Sequence, residues 1–406
     1  MRKSIATVPQ SGLRGRLPLS VILMLLLATQ VVATDLYLPA LPHIAADLAV
    51  SAGKVQSTLT VFVLCFGLAQ LLAGPLVDRY GRRTTLLWGL GLYVGATLGG
   101  AMASSLPLLL VFRALQGCAT AAAVIGARAI IRDNHDGAAG MKSMAASLTG
   151  QSAIGVACPL VGGMTVQYVG WHATIGMEAG FGVLAWLAVY VGFAETYARP
   201  ARGGGASFAR FFRDRQFVAC SLLAGLSFSG ALVFLLLSPF VFIGEFGMSK
   251  VAYGAMPALC CLAFLLGTVA CRCCLRRWSV PKVVRLGASL SLLGAASQFL
   301  LWKLGIRGVW SLALPQCVYM LGHGFHNPCG QAGAVAPFPA QAGQAAAASG
   351  FVLTGIGFLI GQMVTGSARP ASETLVVAMA CIATALGLVA LVAIPLAFRR
   401  AVADLQ

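Results

Sequence analysis

The sequence predicts an all-α polytopic membrane protein, with twelve transmembrane helices in two pseudo-symmetric six-helix halves. Three observations carry this. Hydrophobic residues make up 59% of the 406 and charged residues only 10%, against about 25% charged in soluble domains. Twelve apolar runs approach the roughly 20 residues that cross a bilayer's hydrocarbon. The longest polar connection falls between the sixth and seventh runs.

The runs cover 17–40, 54–77, 84–105, 107–130, 142–166, 171–194, 216–243, 251–274, 282–303, 309–331, 344–367 and 374–397. Short connections, such as the one near Ser105, make sequential spans antiparallel neighbours. The first run follows Arg2, Lys3, Arg14 and Arg16, the pattern of a secretory signal peptide. It ends in Asp35 rather than in a small-residue cleavage site, so a retained first helix is expected. Of the 28 basic residues, 22 lie on the amino-terminal side of the spans. Five lie on the other side (Lys54, Lys250, Lys303, Arg307 and Arg369), and the last, Arg113, sits inside a run. This asymmetry predicts a multi-pass protein with both termini in the cytoplasm. It also argues against a nucleic-acid partner despite the net charge of +17, because the basic residues occupy short loops rather than a soluble domain. Trp171, Trp302 and Trp310 fall at predicted outer edges and Trp278 at an inner edge, as interfacial anchors do.

The midpoint connection, 199–215, holds Gly203, Gly204 and Gly205 and five arginines. It divides the chain into a first bundle, 1–198, and a second, 216–406. Two such halves rocking about a central site are a recurrent transporter design. The 12 cysteines mostly lie within apolar runs and show no disulfide spacing. Cys271, Cys273 and Cys274 form a tight cluster, but no second ligand pair is near, so no metal or cofactor is expected. HExxH, GxSxG and phosphate-loop patterns are absent, and an enzyme is not expected.

Charge inside a span costs at least about 2.5 kcal/mol and marks function. Only two of the 11 acidic residues, Asp35 and Glu178, fall inside long apolar runs, with Arg113 as the one arginine well inside a span. Asp35 and Arg113 lie five and six residues from the outer ends of their spans. At 1.5 Å per residue both sit about 8–9 Å below the outer surface, and they are expected to meet. Burial favours a neutral carboxyl and a guanidinium favours a charged one. A motion that alters either balance would load and release a proton at Asp35; the alternative is a static ion pair that fixes packing. Glu178 is either a second protonation or cation-recognition site or a neutral hydrogen-bonding group.

Between the second and third spans runs Gly74-Pro75-Leu76-Val77-Asp78-Arg79-Tyr80-Gly81-Arg82-Arg83. Gly74 would let two helices approach closely, and Asp78 is expected near the positive end of the following helix. This order resembles the signature loop of the major facilitator superfamily. The resemblance implies a conformational latch between the halves, formed by Gly74, Asp78, Arg79, Gly81, Arg82 and Arg83. The first span's Thr34-Asp35-Leu36-Tyr37-Leu38-Pro39, the fourth span's Arg113-Ala114-Leu115-Gln116-Gly117 and Arg128 to Asp133, Glu195-Thr196, and the stretch from His323 to Gly350 resemble the Bcr/CflA group of drug:proton antiporters within that superfamily. The fifth span carries Gly155, Pro159, Gly162 and Gly163, similar to the antiporter motif but with Cys158 where a glycine is usual. It is expected to act as a hinge that packs on the opposite half, or simply as a small-residue packing face.

The resemblance implies a bacterial inner-membrane monomer that exports hydrophobic or amphipathic compounds by alternating access, driven by inward proton flow and conferring drug resistance. Its partners would be the small-molecule substrate, protons and membrane lipid. The alternative is a dedicated proton-coupled exporter or symporter of one metabolite. Tyr37, Gln116, Phe234, His323, His326 and Asn327 are the candidates for lining a substrate cavity. The two histidines stand three apart with Cys329 one turn on, a spacing that also suits a metal; Pro328 beside them frees carbonyls that the histidines would otherwise satisfy.

Overall fold

The computed structural model describes residues 17–134, 137–195, 208–338 and 341–397. The basic residues before Leu17, Thr196, Arg199 and the linker glycines lie outside these. The described residues are helical throughout, with no strand. In chain order, the first half comprises α1 (Leu19–Val31), α2 (Leu41–Asp47), α3 (Ala52–Tyr80), α4 (Arg82–Ala101), α5 (Leu106–Asn134), α6 (Gly137–Tyr168) and α7 (Trp171–Gly192). The second comprises α8 (Arg215–Pro239), α9 (Lys250–Leu275), α10 (Val280–Lys303), α11 (Val309–Val335), α12 (Ala342–Thr365) and α13 (Ala371–Leu388). α1 and α2 belong to one rod, joined through a π-helical turn, Val32–Leu36, and a 3-10 turn, Leu38–Ala40. The described residues thus form twelve rods, and nine are long and apolar enough by composition to span a membrane.

Helix ends follow local chemistry. Gly81, at φ +89°, separates α3 from α4, and Gly170, at φ +109°, separates α6 from α7; both conformations are costly for any residue with a Cβ. Asp214 caps α8 by accepting from the Phe217 amide at 2.7 Å, and Ser249 caps α9 through the Ala252 amide. Several helices outrun the apolar runs. α3 continues through Asp78 and Arg79, because polar residues extend a helix readily once it leaves hydrocarbon.

The halves meet along two seams, α3 against α12 and α6 against α9. Small residues make both possible. Gly53 lies against the Thr365 carbonyl and Gly163 against that of Lys250, and a Cβ at Gly254 would stand 2.5 Å from the Pro159 carbonyl oxygen. Gln362 Nε2 donates to Thr60 Oγ1 across the first seam at 2.7 Å. Close approaches along α3 run from Gly53 to Gln70, and Gly74, one turn further, meets nothing within 4 Å. The close helix approach expected at Gly74 is therefore not made.

The buried apolar residues show the same asymmetry. One cluster joins the halves at the end away from the basic loops, with Tyr37, Phe62 and Val63 from the first and Phe234, Tyr253 and Val364 from the second. Toward the basic end the core splits in two. One cluster draws only on residues from Ile22 to Phe193, the other only on residues from Phe211 to Ala397. The bundle is closed at the end away from the basic loops.

Gly254→Leu should wedge α6 from α9. Spin labels placed across the closed end should show a longer distance than in the unsubstituted protein, and an unchanged distance would mean that the seam does not depend on this contact.

Candidate functional site

The π-helical turn in the first rod inserts one extra residue. It directs neighbouring groups to different sides: the Ala33 carbonyl faces α5, and the Asp35 side chain faces α6. Arg113 Nη2 donates to that carbonyl at 2.8 Å. Its Nη1 donates to Gln116 Oε1 at 2.6 Å and lies 3.4 Å from Glu178 Oε2. Gln116 Nε2 donates in turn to Glu178 Oε2 at 3.0 Å and to Thr97 Oγ1 at 2.9 Å. The guanidinium stands over the Tyr37 ring, 4.1 Å from its centre, and near Phe62. Arg113 is 3% exposed and Glu178 0%. This is a closed, charge-neutral knot of α4, α5, α7 and the first rod. Among the described residues, Glu178 Oε1 and Arg113 Nε have no hydrogen-bond partner.

The expected Asp35–Arg113 pair does not form. Depth along the rods carries no information on azimuth, and the π-helical turn rotates Asp35 away. Glu178 takes the guanidinium instead. Asp35 accepts from Thr34 Oγ1 at 2.8 Å and is 9% exposed. Among the described residues it has no ion-pair partner within 4 Å. It borders the apolar group of Val32, Leu36 and Cys158. A Cβ on Gly155 would stand 4.0 Å from Asp35 Oδ2. A carboxyl thus lies beside the α6–α9 seam, where the two halves meet.

The α6 glycines bring three elements together. Gly162 lies against the Leu36 carbonyl and Gly163 against Lys250, while α6 runs unbroken through Pro159. The rod carrying Asp35, α6 and α9 are therefore in backbone contact within two turns.

In the signature loop, Asp78 sits in the last turn of α3, not at the start of the next helix. It pairs with Arg82 at 3.1 Å, and Arg82 Nε reaches Asp133 at 2.7 Å. The group that complements the α4 N-terminus is Glu195, whose carboxylate accepts from the Arg82 and Arg83 amides at 2.9 and 3.0 Å. Arg83 also donates to the Tyr190 carbonyl and stacks on the Tyr190 ring, and Arg79 stacks on Tyr80. Glu195 was legible only as an acid closing the sixth span; its role depends on the fold returning the end of α7 to Gly81. These contacts tie α3, α4, α5 and α7 into one block of the first half.

The second half contains a different polar group. Ser227 Oγ lies 2.7 Å from His323 Nδ1 and 3.4 Å from His326 Nδ1. His326 Nε2 faces the Val284 carbonyl at 3.3 Å, and Tyr319 donates to the Ser227 carbonyl. His326 is 0% exposed, so it lies inside the half and cannot line a cavity. Phe234, 1% exposed and set edge-on against Phe242, and Tyr37, bonded to Thr58 at 3.1 Å, are buried in the cluster that the two halves share. Gln116 belongs to the Arg113 knot. Of the expected lining residues only Asn327, held by Gln331, is partly exposed, with His323 nearly buried beside Phe264. Cys329 lies 3.8 Å from Cys271, Sγ to Sγ, rather than with the histidines. No group of three metal-binding side chains occurs among the described residues.

Twelve helical rods in two sets, joined at one end and carrying buried charge beside the seam, define a multi-pass membrane transporter of the alternating-access type. The chain belongs to the major facilitator superfamily, whose profile matches residues 23–362. It is 30% identical over 283 residues to the chloramphenicol resistance protein of Pseudomonas aeruginosa, a match spanning 68% of this chain and 65% of that protein. It is 27% identical over 339 residues to multidrug resistance protein D of Escherichia coli (strain K12), covering 82% and 84%. Among solved structures, a bacterial homolog of the human lysosomal transporter Spinster, inward-facing and unoccupied, superposes with a TM-score of 0.72 at 16% identity, covering 94% of this chain and 96% of that one. At that identity the likeness concerns the fold alone.

Removing one member of the buried pair leaves the other charge uncompensated, at about 3–5 kcal/mol. Glu178→Leu should therefore lower the melting temperature in detergent, and the double variant Arg113→Met/Glu178→Leu should recover most of the loss. A double variant no more stable than the single would show that the pair is not the source of the cost.

Proposed function

We propose that the protein exports hydrophobic or amphipathic small molecules from the cytoplasm in exchange for protons, with Asp35 as the proton carrier. The single observation that carries this reading is the Asp35 carboxyl, 9% exposed and without an ion-pair partner within 4 Å among the described residues, set beside the seam that must open if the halves rock. The names of the relatives, chloramphenicol and multidrug resistance proteins, support the substrate class.

The roles of the three buried charges then separate. Arg113 and Glu178 neutralise each other, and through Ala33 the arginine fixes the π-helical turn that presents Asp35. Asp35 carries the proton because its cost of ionisation is set by surroundings that change. When α6 and α9 are in contact, apolar neighbours favour the neutral acid. When they separate, the carboxylate meets the outer water and takes up the proton that closure then requires, and water entering from the cytoplasmic opening later favours its release. Proton and substrate then alternate through the same opening and closing of the seam.

The residues 1–198 and 216–406 act as the two moving halves, with 199–215 as a cytoplasmic link. The basic end faces the cytoplasm in the bacterial inner membrane, so this conformation, closed at the other end, is the inward-facing one. The signature loop and Glu195 stiffen the first half and form its side of the latch. Asn327 and His323 are the substrate-facing polar groups of the second half.

In proteoliposomes with an imposed proton gradient, Asp35→Asn should abolish gradient-driven uphill transport while substrate exchange without a gradient persists. Arg113→Ala should impair both, since it releases the α1 turn and strands Glu178. Full gradient-driven transport by Asp35→Asn would refute the assignment.

A further inference from the structure

α12 and α13 each lie along α8 and barely touch one another. Between them runs a cavity of about 380 Å³. One face of each helix lines it: Ile360 and Val364 on α12, and Thr374, Ala378, Ile382 and Ala385 on α13, with Leu226 of α8 as the floor. Met363, 78% exposed, marks its open side as the lipid-facing wall; the α12 positions that meet the first half, Thr354 and Gly361, lie on another face. From Thr374 to Ala385 is eleven residues of helix, about 16 Å. That matches one leaflet's share, about 15 Å, of the hydrocarbon thickness. A groove of that length would reach from the membrane surface to about the midplane.

Its mouth carries opposite charges. Arg369 Nη1 stands 3.7 Å from Glu373 Oε1, with the side chains 58% and 39% exposed. Ser367 and Thr374 hydroxyls bond each other beside them at 3.1 Å, and the Arg369 amide donates to Ser367 Oγ. A loose, exposed pair of this kind gains little from itself and leaves both groups able to bind a ligand. A phosphate would meet the guanidinium and a primary ammonium the carboxylate.

We propose that this groove holds one acyl chain of a phospholipid whose headgroup joins a phosphate to a primary ammonium, the chemistry of phosphatidylethanolamine. The charge order at the mouth selects that headgroup over an anionic one, because Glu373 repels a headgroup that brings only negative charge. The bound chain seals the gap between α12 and α13 that protein side chains leave open. This holds whether or not the protein exchanges protons for drugs.

The test is native mass spectrometry of the full-length protein, delipidated in detergent and titrated with dioleoyl phosphatidylethanolamine or dioleoyl phosphatidylglycerol. The unsubstituted protein should retain one ethanolamine lipid several-fold more strongly than the glycerol lipid. Ala378→Trp, which fills the groove, should lose that lipid. Glu373→Gln, which leaves the groove open, should bring the two lipids to within about twofold of each other. Equal retention of both lipids by the unsubstituted protein would overturn the proposal, as would an unchanged ethanolamine preference in Glu373→Gln. Displacement of the lipid by a transported compound at equal concentration would assign the groove to substrate instead.

Discussion

The guanidinium of Arg113 is the constraint on which the first half depends. In hydrocarbon it must be neutralised and its donors satisfied, and four elements contribute to doing so: Glu178 from α7, Gln116 from α5, Thr97 behind it from α4, and the Ala33 carbonyl from the first rod. The carbonyl matters most for function. It lies in the π-helical turn, where one backbone group falls out of the regular ladder, and the arginine takes up that group. The ion pair is therefore also a backbone clamp. It fixes the irregular turn that points Asp35 toward α6 and away from every positive charge within 4 Å among the described residues. One charged residue is silenced so that another stays responsive.

The responsive group sits where motion is possible. Each half has its own buried cluster toward the basic end, and the two share one cluster at the other. Glycine contacts at Gly163 and Gly254 replace side-chain interdigitation along the α6–α9 seam. Such backbone contacts are close but shallow, so parting them breaks only the one cluster that the halves share. The signature loop, by contrast, is cross-linked by Glu195, Asp133 and Tyr190 and moves as a piece with its half.

The fold was legible because its signals are one-dimensional. Span count, basic asymmetry and the glycine-rich midpoint are read directly from residue order, and the motif at Gly74 to Arg83 named the superfamily that the profile match bears out. The site was legible only in part. Composition alone singled out Asp35, Glu178 and Arg113, since buried charge is rare in so apolar a chain. Which of them pair was not legible, because a one-residue π insertion changes azimuth without changing the hydrophobic pattern. The same blindness applies to Phe234 and Tyr37, which lie in the cluster between the halves, and to His326, which packs within its own half; an aromatic or histidine on a helix has no sequence mark of the face it takes. Asp78 was set at the wrong helix end for a related reason, since a helix can run past the hydrocarbon boundary that ends its apolar run.

The central claim is that Asp35, not Glu178, gains and loses the proton. Infrared difference spectroscopy of the reconstituted protein between acid and alkaline pH reads the protonated-carboxyl stretch of a buried acid directly. A band that appears on acidification, vanishes in Asp35→Asn and survives in Glu178→Gln is the predicted result. A band that survives in Asp35→Asn and vanishes in Glu178→Gln would contradict the account and move the proton to the partner of Arg113.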